Sequence, residues 1–325
     1  MRHKFGHRLV LPLAAVTAVM GTLFIPAGFA QTGSTPQGFV HLNSMIEKLA
    51  QGKPVIGVST ADLSMENARA LSRANIDFVR LELEHGPMNF EALRNFLIGM
   101  IDKAAILKKG NAQVSVAPIA RFAPFGREQQ AWVVKQALDI GLMGYVANGV
   151  DNKEQALDVV RSIRYPQQKG SRYMTPAGLR GYGPGNALWF WGIGNDEYLQ
   201  RADLWPLNPQ GDLLAAMMIE TTEGLKNVNE IAAVPGVGML FPGNATDLSM
   251  SLGIPFNSPE REAALQTVLK ACLAHNIACG IAAVGTPEEA ERRVKEGWKY
   301  IELAGTGVLS GAAEAALRAA RAASK

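Results

Sequence analysis

Residues 80–85, Arg-Leu-Glu-Leu-Glu-His, place two carboxylates and an imidazole at the end of a strand-like run. Side chains alternate between the two faces of a strand, so Leu81 and Leu83 share one face while Glu82 and Glu84 share the other. His85 follows at the rim. An edge strand facing water would tolerate this pattern, whereas a barrel lumen or a sheet crevice would use it for proton transfer.

Other polar residues stand at the ends of predicted strands: Arg121, Glu220, Asn244 and Asp247. Glu220 ends an otherwise apolar strand, so its carboxylate must meet a cation, a hydrogen-bonding partner or water. Glu220 and Asp247 could hold Mg²⁺ or Mn²⁺, since these hard cations prefer oxygen ligands. Any single acid could instead be a salt-bridge partner. A histidine-rich zinc site is excluded, because only three histidines follow residue 30.

These residues sit in a regular alternation of short β-branched runs and longer helical patterns. Eight strand-helix units in a chain of this length predict a parallel (β/α)₈ barrel, with the chemistry at the carboxyl ends of the strands. A doubly wound open sheet is the alternative, but no Gly-x-Gly-x-x-Gly follows the first strand. The predicted strands are 54–59, 77–85, 112–121, 144–150, 212–220, 236–241, 278–284 and 298–305.

The first thirty residues have the pattern of a secretory signal peptide. A basic start precedes an apolar stretch from Leu9 to Ala27, and Gly28-Phe29-Ala30 supplies small residues before a cut at Gln31. An uncleaved anchor is the alternative, which Pro12 and Pro26 disfavour. We expect residues 31–325 to form one exported domain, periplasmic or secreted, with no membrane attachment after cleavage.

Charge and cysteine content further limit the functions that the sequence allows. Without the signal peptide's three basic residues, 29 basic residues face 29 acidic ones, which gives no case for binding nucleic acid. Cys272 and Cys279 flank a helix-to-strand step; export would permit a disulfide, but we expect burial as small apolar residues. A metal site made of Cys272, His275 and Cys279 lacks a fourth ligand.

The alternation lapses once, at residues 165–211. This segment is rich in glycine and proline and carries the aromatic residues Trp189, Phe190, Trp191 and Trp205. Long loops in a compact domain are usually functional or ordered by a partner. We expect its aromatic cluster to pack internally or to form a subunit contact.

Several stretches together resemble the HpcH/HpaI aldolase family, class II pyruvate aldolases related to the citrate lyase β-subunit. The similarity covers most of the chain after residue 30. Its strongest part is IETTEGLKNVNEIAAVPGVGMLFPGNATDLSMSLGIP at 219–255, and it also includes LELEHGPMNFEAL, VVKQALDIG at 133–141 and IRYPQQKGSRYMTPAGLRGYG at 163–183.

The resemblance implies a barrel whose eighth helix is exchanged between subunits of a homo-oligomer, commonly a hexamer. It also implies roles for single residues. Glu220 and Asp247 would be the metal ligands, for Mg²⁺, Mn²⁺ or Co²⁺; Arg121 would contact the substrate oxygen; His85, backed by Glu82, would lie beside a metal-bound water; Asn244 and Thr246 would contact substrate.

The chain departs from the family pattern at several positions. Glu82 stands where an aspartate is usual, and Met218 replaces a glutamine of some members. One residue is added before Asp247, and about four follow Arg121, which makes Arg127 a rival for the arginine role.

The reaction implied is reversible cleavage of a 4-hydroxy-2-oxo acid to pyruvate and an aldehyde, so the partners are small molecules. A Schiff base at Lys299 is the enzymatic alternative. A second alternative is an exported, non-catalytic binder of 2-oxo acids, suggested by Glu82 and by the altered loop before Asp247.

Overall fold

Eight parallel strands close into a barrel in the computed structural model, which describes residues 38–306, 309 and 311–324. The predicted signal peptide lies outside the described residues. Strand β4 pairs with β3, followed in turn by β2, β1, β9, β8, β7 and β6, and a β4–β6 pairing closes the ring. The predicted (β/α)₈ barrel is therefore confirmed. The strands are β1 Val55–Thr60, β2 Phe78–Leu83, β3 Ala117–Phe125, β4 Gly144–Asn148, β5 Leu204–Trp205, β6 Leu213–Met218, β7 Met239–Phe241, β8 Ala278–Val284 and β9 Tyr300–Thr306.

Helices surround this ring, and several begin where a short polar side chain caps the first turn. Asn89 accepts a hydrogen bond from the backbone N–H of Ala92, and Thr286 does the same for Glu289 ahead of Pro287. The helices are α1 Ser44–Ala50, α2 Met65–Ser72, α3 Phe90–Gly99, α4 Lys103–Lys109, α5 Ala131–Ile140, α6 Lys153–Ile163, α7 Gly185–Trp191, α8 Asn195–Arg201, α9 Thr222–Lys226, α10 Val228–Ala232, α11 Thr246–Leu252, α12 Pro259–His275, α13 Pro287–Glu296 and α14 Ala312–Ala323.

The strands bury both faces, as parallel barrel strands must. Their outward side chains pack against the helices, while the inward ones fill the lower lumen. Helix α1 closes the amino-terminal end of the barrel, where Met45 and Ile46 join the lumen cluster beside Val55 and Phe78. The opposite end, at the carboxyl ends of the strands, is left for polar side chains.

The segment at 165–211 contains α7, α8 and the two-residue strand β5, which pairs with the start of β6. Arg164 anchors it: the buried guanidinium binds both carboxylate oxygens of Asp203 at 2.6 and 3.0 Å and donates to the carbonyl of Tyr173 at 2.7 Å. Trp191 is buried and donates to the Gly141 carbonyl at 2.8 Å, whereas Trp189 is 69% exposed. The aromatic residues are thus divided between packing and surface.

Cys272 of α12 and Cys279 of β8 form a disulfide. The expectation that they pack as two separate apolar residues is therefore wrong, although both are buried. Their Cα atoms are 5.6 Å apart, within the range that a disulfide spans. The tight connection from α12 into β8 brings them together.

Helix α14 packs against α13 and β9 of its own chain. Arg321 near its end donates to the buried Asp77 carboxylate at 2.9 Å. The exchange of this helix between subunits stays a prediction. Within residues 38–306, 309 and 311–324, no helix is both long and apolar enough to cross a membrane.

Candidate active site

The polar residues at the upper end of the lumen are positioned by β2, β3, β6 and the start of α11. Register pairs Glu82 of β2 with Arg121 of β3, so the two side chains are direct cross-strand neighbours. Alternation along β2 places Arg80, Glu82 and Glu84 on this same face. Acidic and basic side chains of β2 and β3 therefore face the lumen together.

Glu82 is the most heavily hydrogen-bonded carboxylate of this group. Its Oε2 accepts from Arg121 Nε at 2.9 Å, from Arg121 Nη2 at 2.6 Å and from Arg80 Nη1 at 2.6 Å. Its Oε1 accepts from the backbone N–H groups of Glu84 at 2.9 Å and His85 at 3.4 Å. Burial acts to raise the pKa of Glu82, but the Arg121 hydrogen bonds and the two guanidinium charges outweigh it and lower the pKa to about 2.

The arrangement of Glu82 corrects one sequence-based expectation. Glu82 was expected to back the imidazole of His85, yet its side chain binds Arg80 and Arg121 and reaches His85 only through the backbone. The carboxylate that faces the imidazole is that of Glu84, with 3.5 Å between Nε2 and Oε2. The His85 side chain is 69% exposed, so it stands at the rim.

Glu84 is a site residue to which the sequence analysis gave no role. Its Oε2 lies 2.7 Å from Arg121 Nη1, so Arg121 bridges Glu82 and Glu84. The pKa of Glu84 is raised, first by burial and further by the negative charges of Glu82 and Asp247, against the opposing charges of Arg121 and His85. Its place on the same strand face as Glu82 was the available signal.

Glu220 lies just beyond β6 and is buried. Its Oε2 accepts from the backbone N–H of Gly149 at 2.8 Å. Burial raises the pKa of Glu220 to about 7, and the charges of Glu84 and Asp247 add to that rise, while the Gly149 hydrogen bond and Arg121 oppose it. Asp247 stands in the first turn of α11. Glu84, Glu220 and Asp247 thus lie near enough to act on one another electrostatically.

The loop before Asp247 is held by its own polar groups. The side-chain oxygen of Asn244 accepts from the backbone N–H of Thr246 at 3.1 Å. Gly243 and Ala245 both adopt left-handed backbone conformations, with φ of 58° and 57°. Asn244 is exposed and Thr246 half-buried beside the site.

Two rivals for catalytic roles form no ion pair with any acid of this cluster among the described residues. Arg127 is exposed and stacks on the ring of Phe125, with 4.6 Å from its guanidinium carbon to the ring centroid. Lys299 precedes β9 and donates to the carbonyl of Gly52 at 2.6 Å, at the amino-terminal end of the barrel. Lys299 therefore lies at the opposite end from Glu220, and a Schiff base there is inconsistent with this site.

A second ion pair lies deeper in the lumen and was not predicted from sequence. Arg80 binds Glu302 of β9 through two parallel hydrogen bonds, Nε to Oε2 at 2.7 Å and Nη2 to Oε1 at 2.8 Å. The hydroxyl of Tyr300 donates to the same carboxylate at 3.3 Å. Both Arg80 and Glu302 are buried.

The oxygen donors fit a hard cation better than zinc. Among the described residues, no group of three or more histidine, cysteine, aspartate and glutamate side chains is arranged to hold a metal ion. Glu220 and Asp247 offer two carboxylates, and Mg²⁺-type sites commonly use one or two carboxylates and fill the remaining positions with water and substrate. The raised pKa of Glu220 marks a carboxylate that a cation would stabilise in its ionised form.

Comparison with known proteins places the chain in a family. Residues 60–310 match the HpcH/HpaI aldolase/citrate lyase family profile. A hydroxypyruvate/pyruvate aldolase of Roseobacter denitrificans is 33% identical over 65% of this chain and 70% of that protein. A 5-keto-4-deoxy-D-glucarate aldolase of Salmonella paratyphi C is 28% identical over 85% of this chain and 93% of that protein.

Solved structures agree with these sequence matches. The crystal structure of an HpcH/HpaI aldolase/citrate lyase family protein from Burkholderia cenocepacia superposes with a TM-score of 0.65 and 26% identity, and the match covers 86% of this chain and 97% of that one. An HpcH/HpaI aldolase from Desulfitobacterium hafniense, 22% identical, shares the fold with a TM-score of 0.63 over 85% and 93% of the two chains. This chain therefore belongs to the HpcH/HpaI aldolase/citrate lyase family, and both the family and its named relatives indicate an aldolase or lyase.

Proposed function

We propose that this chain is a divalent-cation-dependent aldolase that reversibly cleaves a 4-hydroxy-2-oxo acid to pyruvate and an aldehyde. The observation that carries the proposal is Arg121, whose guanidinium is fixed by Glu82 and Glu84 beside the buried carboxylate of Glu220. A fixed positive donor next to a cation-binding group is what a reaction through an enolate requires. The relatives named as aldolases support the reaction class.

Glu220 and Asp247 would hold the cation, Mg²⁺ or Mn²⁺ and also Co²⁺. When bound, the cation would withdraw electron density from the carboxylate and keto oxygens of the 2-oxo acid and so favour the enolate. Glu84 adds a further negative charge nearby, which also favours a cation at this site. Among the described residues, Glu84, Glu220 and Asp247 are not arranged as a three-ligand metal site. These carboxylates belong to the binding function and contribute little core volume.

Arg121 would stabilise the oxygen on which negative charge develops. Its Nε and Nη2 donate to Glu82, while Nη1 donates to the Met218 sulfur at 3.8 Å and forms an ion pair with Glu84 Oε2 at 2.7 Å. A donor already held in place pays no reorganisation cost when charge appears. Arg121 would therefore act without moving.

His85 would exchange the proton of the substrate's 4-hydroxyl. In the cleavage direction, that proton passes to His85 Nε2, the bond between carbons 3 and 4 breaks, and its electron pair remains on carbon 3 as the enolate. The aldehyde leaves, and return of the proton from the His85 imidazolium to carbon 3 gives pyruvate and restores the neutral imidazole. The carboxylate of Glu84 lies 3.5 Å from Nε2 and would help to orient the imidazole at the rim.

We also propose that the protein is exported with residues 1–30 removed. The basic, apolar and small-residue pattern of that segment supports this. The disulfide between Cys272 and Cys279 is compatible with an oxidising compartment.

The direct test of function is an aldol assay of the purified protein with pyruvate and a panel of aldehydes, with Mg²⁺, Mn²⁺ or Co²⁺. We expect turnover with at least one aldehyde, lost in EDTA and restored by the cation. Borohydride with pyruvate should leave no covalent adduct, since Lys299 is remote. Tight pyruvate binding without turnover for any aldehyde would contradict the enzyme and favour a binder.

Arg121→Ala should lower kcat by ~10²–10³-fold, the scale of a lost oxyanion donor. Arg127→Ala is the matched control, since its guanidinium stacks on Phe125 and forms no ion pair with Glu82 or Glu84. Circular dichroism would verify that both variants are folded. If Arg127→Ala carries the loss while Arg121→Ala does not, the assignment of the arginine is wrong.

Glu220→Gln should stabilise the metal-free protein at alkaline pH while abolishing cation-dependent turnover. The pKa of Glu220 is raised from 4.5 to about 7, so the stability it contributes is fully present below about pH 4.5 and is lost as pH rises through about 7. Removing the charge should return up to ~3 kcal/mol of unfolding free energy near pH 8 and nothing near pH 4.

The measurement for Glu220→Gln is urea unfolding in EDTA at both pH values, with the exposed Glu223→Gln as control. Equal effects of the two variants, or a loss of stability in Glu220→Gln near pH 8, would show that the Glu220 carboxylate is not held in an environment that resists ionisation.

The export proposal predicts the mass of the native protein. Protein recovered from the periplasm or medium should start at Gln31 and carry an oxidised Cys272–Cys279 pair, as intact-mass spectrometry before and after reduction would show. A full-length chain retained in the cytoplasm would contradict it.

A further inference from the structure

Five charged side chains form a continuous series across the upper lumen, which we call the lumen ladder. It runs from β9 to β2, across to β3 and back to the residue that follows β2, and the charge changes sign at each step. Every neighbouring pair is joined by at least one contact of 2.6 to 2.9 Å. In order, its members are Glu302, Arg80, Glu82, Arg121 and Glu84.

The lower half of the ladder is held rigidly. The Glu302 carboxylate receives two hydrogen bonds from Arg80 and one from the Tyr300 hydroxyl. The Tyr300 ring is stacked on Phe78 with 3.8 Å between centroids. Arg80 and Glu302 are only 6% and 3% exposed. Breaking one partner of such a pair leaves an uncompensated buried charge, so the pair has little freedom to rearrange.

The upper half connects this pair to the proposed catalytic arginine. Glu82 Oε2 is shared by Arg80 Nη1 from below and by Arg121 Nε and Nη2 from the side. Arg80 therefore fixes the position of the oxygen that orients Arg121. The second oxygen of Glu82 holds the backbone of Glu84 and His85, so the same carboxylate also places the rim.

We propose that Arg80 and Glu302 are positioning residues for catalysis, acting on Arg121 and the His85 turn through Glu82. The expected effect on kcat rests on the aldolase function proposed above. The expected effect on the position of Arg121 does not. Among the described residues, Arg80 and Glu302 form no hydrogen bond or ion pair with Glu220 or Asp247, so the ladder is the polar connection from this pair to Arg121.

A purely structural ion pair would make a different contribution. It would lower stability when broken but leave kcat of the folded enzyme unchanged. Arg164 and Asp203 form a matched case, because they too are joined by two hydrogen bonds from a buried guanidinium, in the segment at 165–211 outside the lumen. Asp203→Asn is thus the control for loss of a buried pair.

The kinetic test compares Glu302→Gln and Arg80→Met with Asp203→Asn. We expect kcat to fall about tenfold to a hundredfold in the two ladder variants, the scale of a small misplacement of a catalytic group, with KM changed less than about threefold. Asp203→Asn should keep kcat within about twofold. Wild-type kcat in both ladder variants, or an equal loss in Asp203→Asn, would overturn the proposal.

A second readout is independent of activity. Exchange of the Arg121 Nε–H with solvent can be followed by nitrogen-15 NMR of arginine-labelled protein, with its signal assigned by its absence in Arg121→Lys. We expect exchange to be at least about tenfold faster in Glu302→Gln and Arg80→Met and unchanged in Asp203→Asn. Unchanged exchange in the ladder variants would overturn the positioning role.

The two readouts separate the two hypotheses. A wild-type protein with no turnover for any aldehyde, but with faster Arg121 exchange in the ladder variants, would contradict the aldolase function and retain the positioning role. Turnover in the wild-type protein, with neither kcat nor exchange altered in the ladder variants, would retain the aldolase function and contradict the positioning role. Glu302→Gln keeps the size of the side chain and one hydrogen-bond acceptor for Arg80. If Arg80→Met does not fold, kcat and Arg121 exchange can therefore both be measured in Glu302→Gln.

Discussion

The constraint on which the rest of this structure depends is an excess of negative charge at the upper end of the barrel lumen. Five carboxylates gather there around two guanidinium groups. Where two guanidinium groups bind one carboxylate, as at Glu82, the pKa of that carboxylate is lowered to about 2; where no guanidinium of the described residues binds the carboxylate directly, as at Glu220, burial raises the pKa to about 7. A bound cation would resolve the remaining imbalance, which connects the electrostatics of the fold to the proposed chemistry. The acids are Glu82, Glu84, Glu220, Asp247 and Glu302, and the bases are Arg80 and Arg121.

The same constraint divides the lumen into two levels. Below, apolar side chains contributed by α1 and the strand starts close the barrel and exclude water. Above, the lumen ladder fixes one arginine and one turn, and the less well compensated acids of β6 and α11 face them. Because every member of the ladder lies on a strand or directly after one, the geometry is set by the most rigid part of the fold.

Sequence periodicity was sufficient for the barrel and for the strand face that carries Glu82 and Glu84. The expectation that the Glu220 carboxylate must meet a cation, a hydrogen-bonding partner or water agrees with its hydrogen bond from the Gly149 N–H. Partner choice was not readable in the same way. Glu82 binds Arg121 because the β2–β3 register sets them side by side, and Arg80 binds Glu302 across the intervening strand β1.

Two features away from the site, the disulfide and the structure of residues 165–211, were not predicted from the sequence, for related reasons. The pairing of Cys272 with Cys279 depends on how sharply α12 turns into β8, which spacing alone does not specify. Residues 165–211 contain two helices and a strand that are too short for their periodicity to be detected. The buried Arg164 and buried aromatic residues such as Trp191 and Tyr198 hold them in place. In both places a few specific contacts, and not a repeated pattern, determine the structure.

An anomalous difference map from crystals soaked in Mn²⁺ would show whether Glu220 and Asp247 hold one cation between them. We expect a single strong peak in the barrel within direct coordination distance, about 2 Å, of a carboxylate oxygen of both Glu220 and Asp247. A barrel without a peak, or a peak bound by only one of these residues, would contradict the proposed cation site.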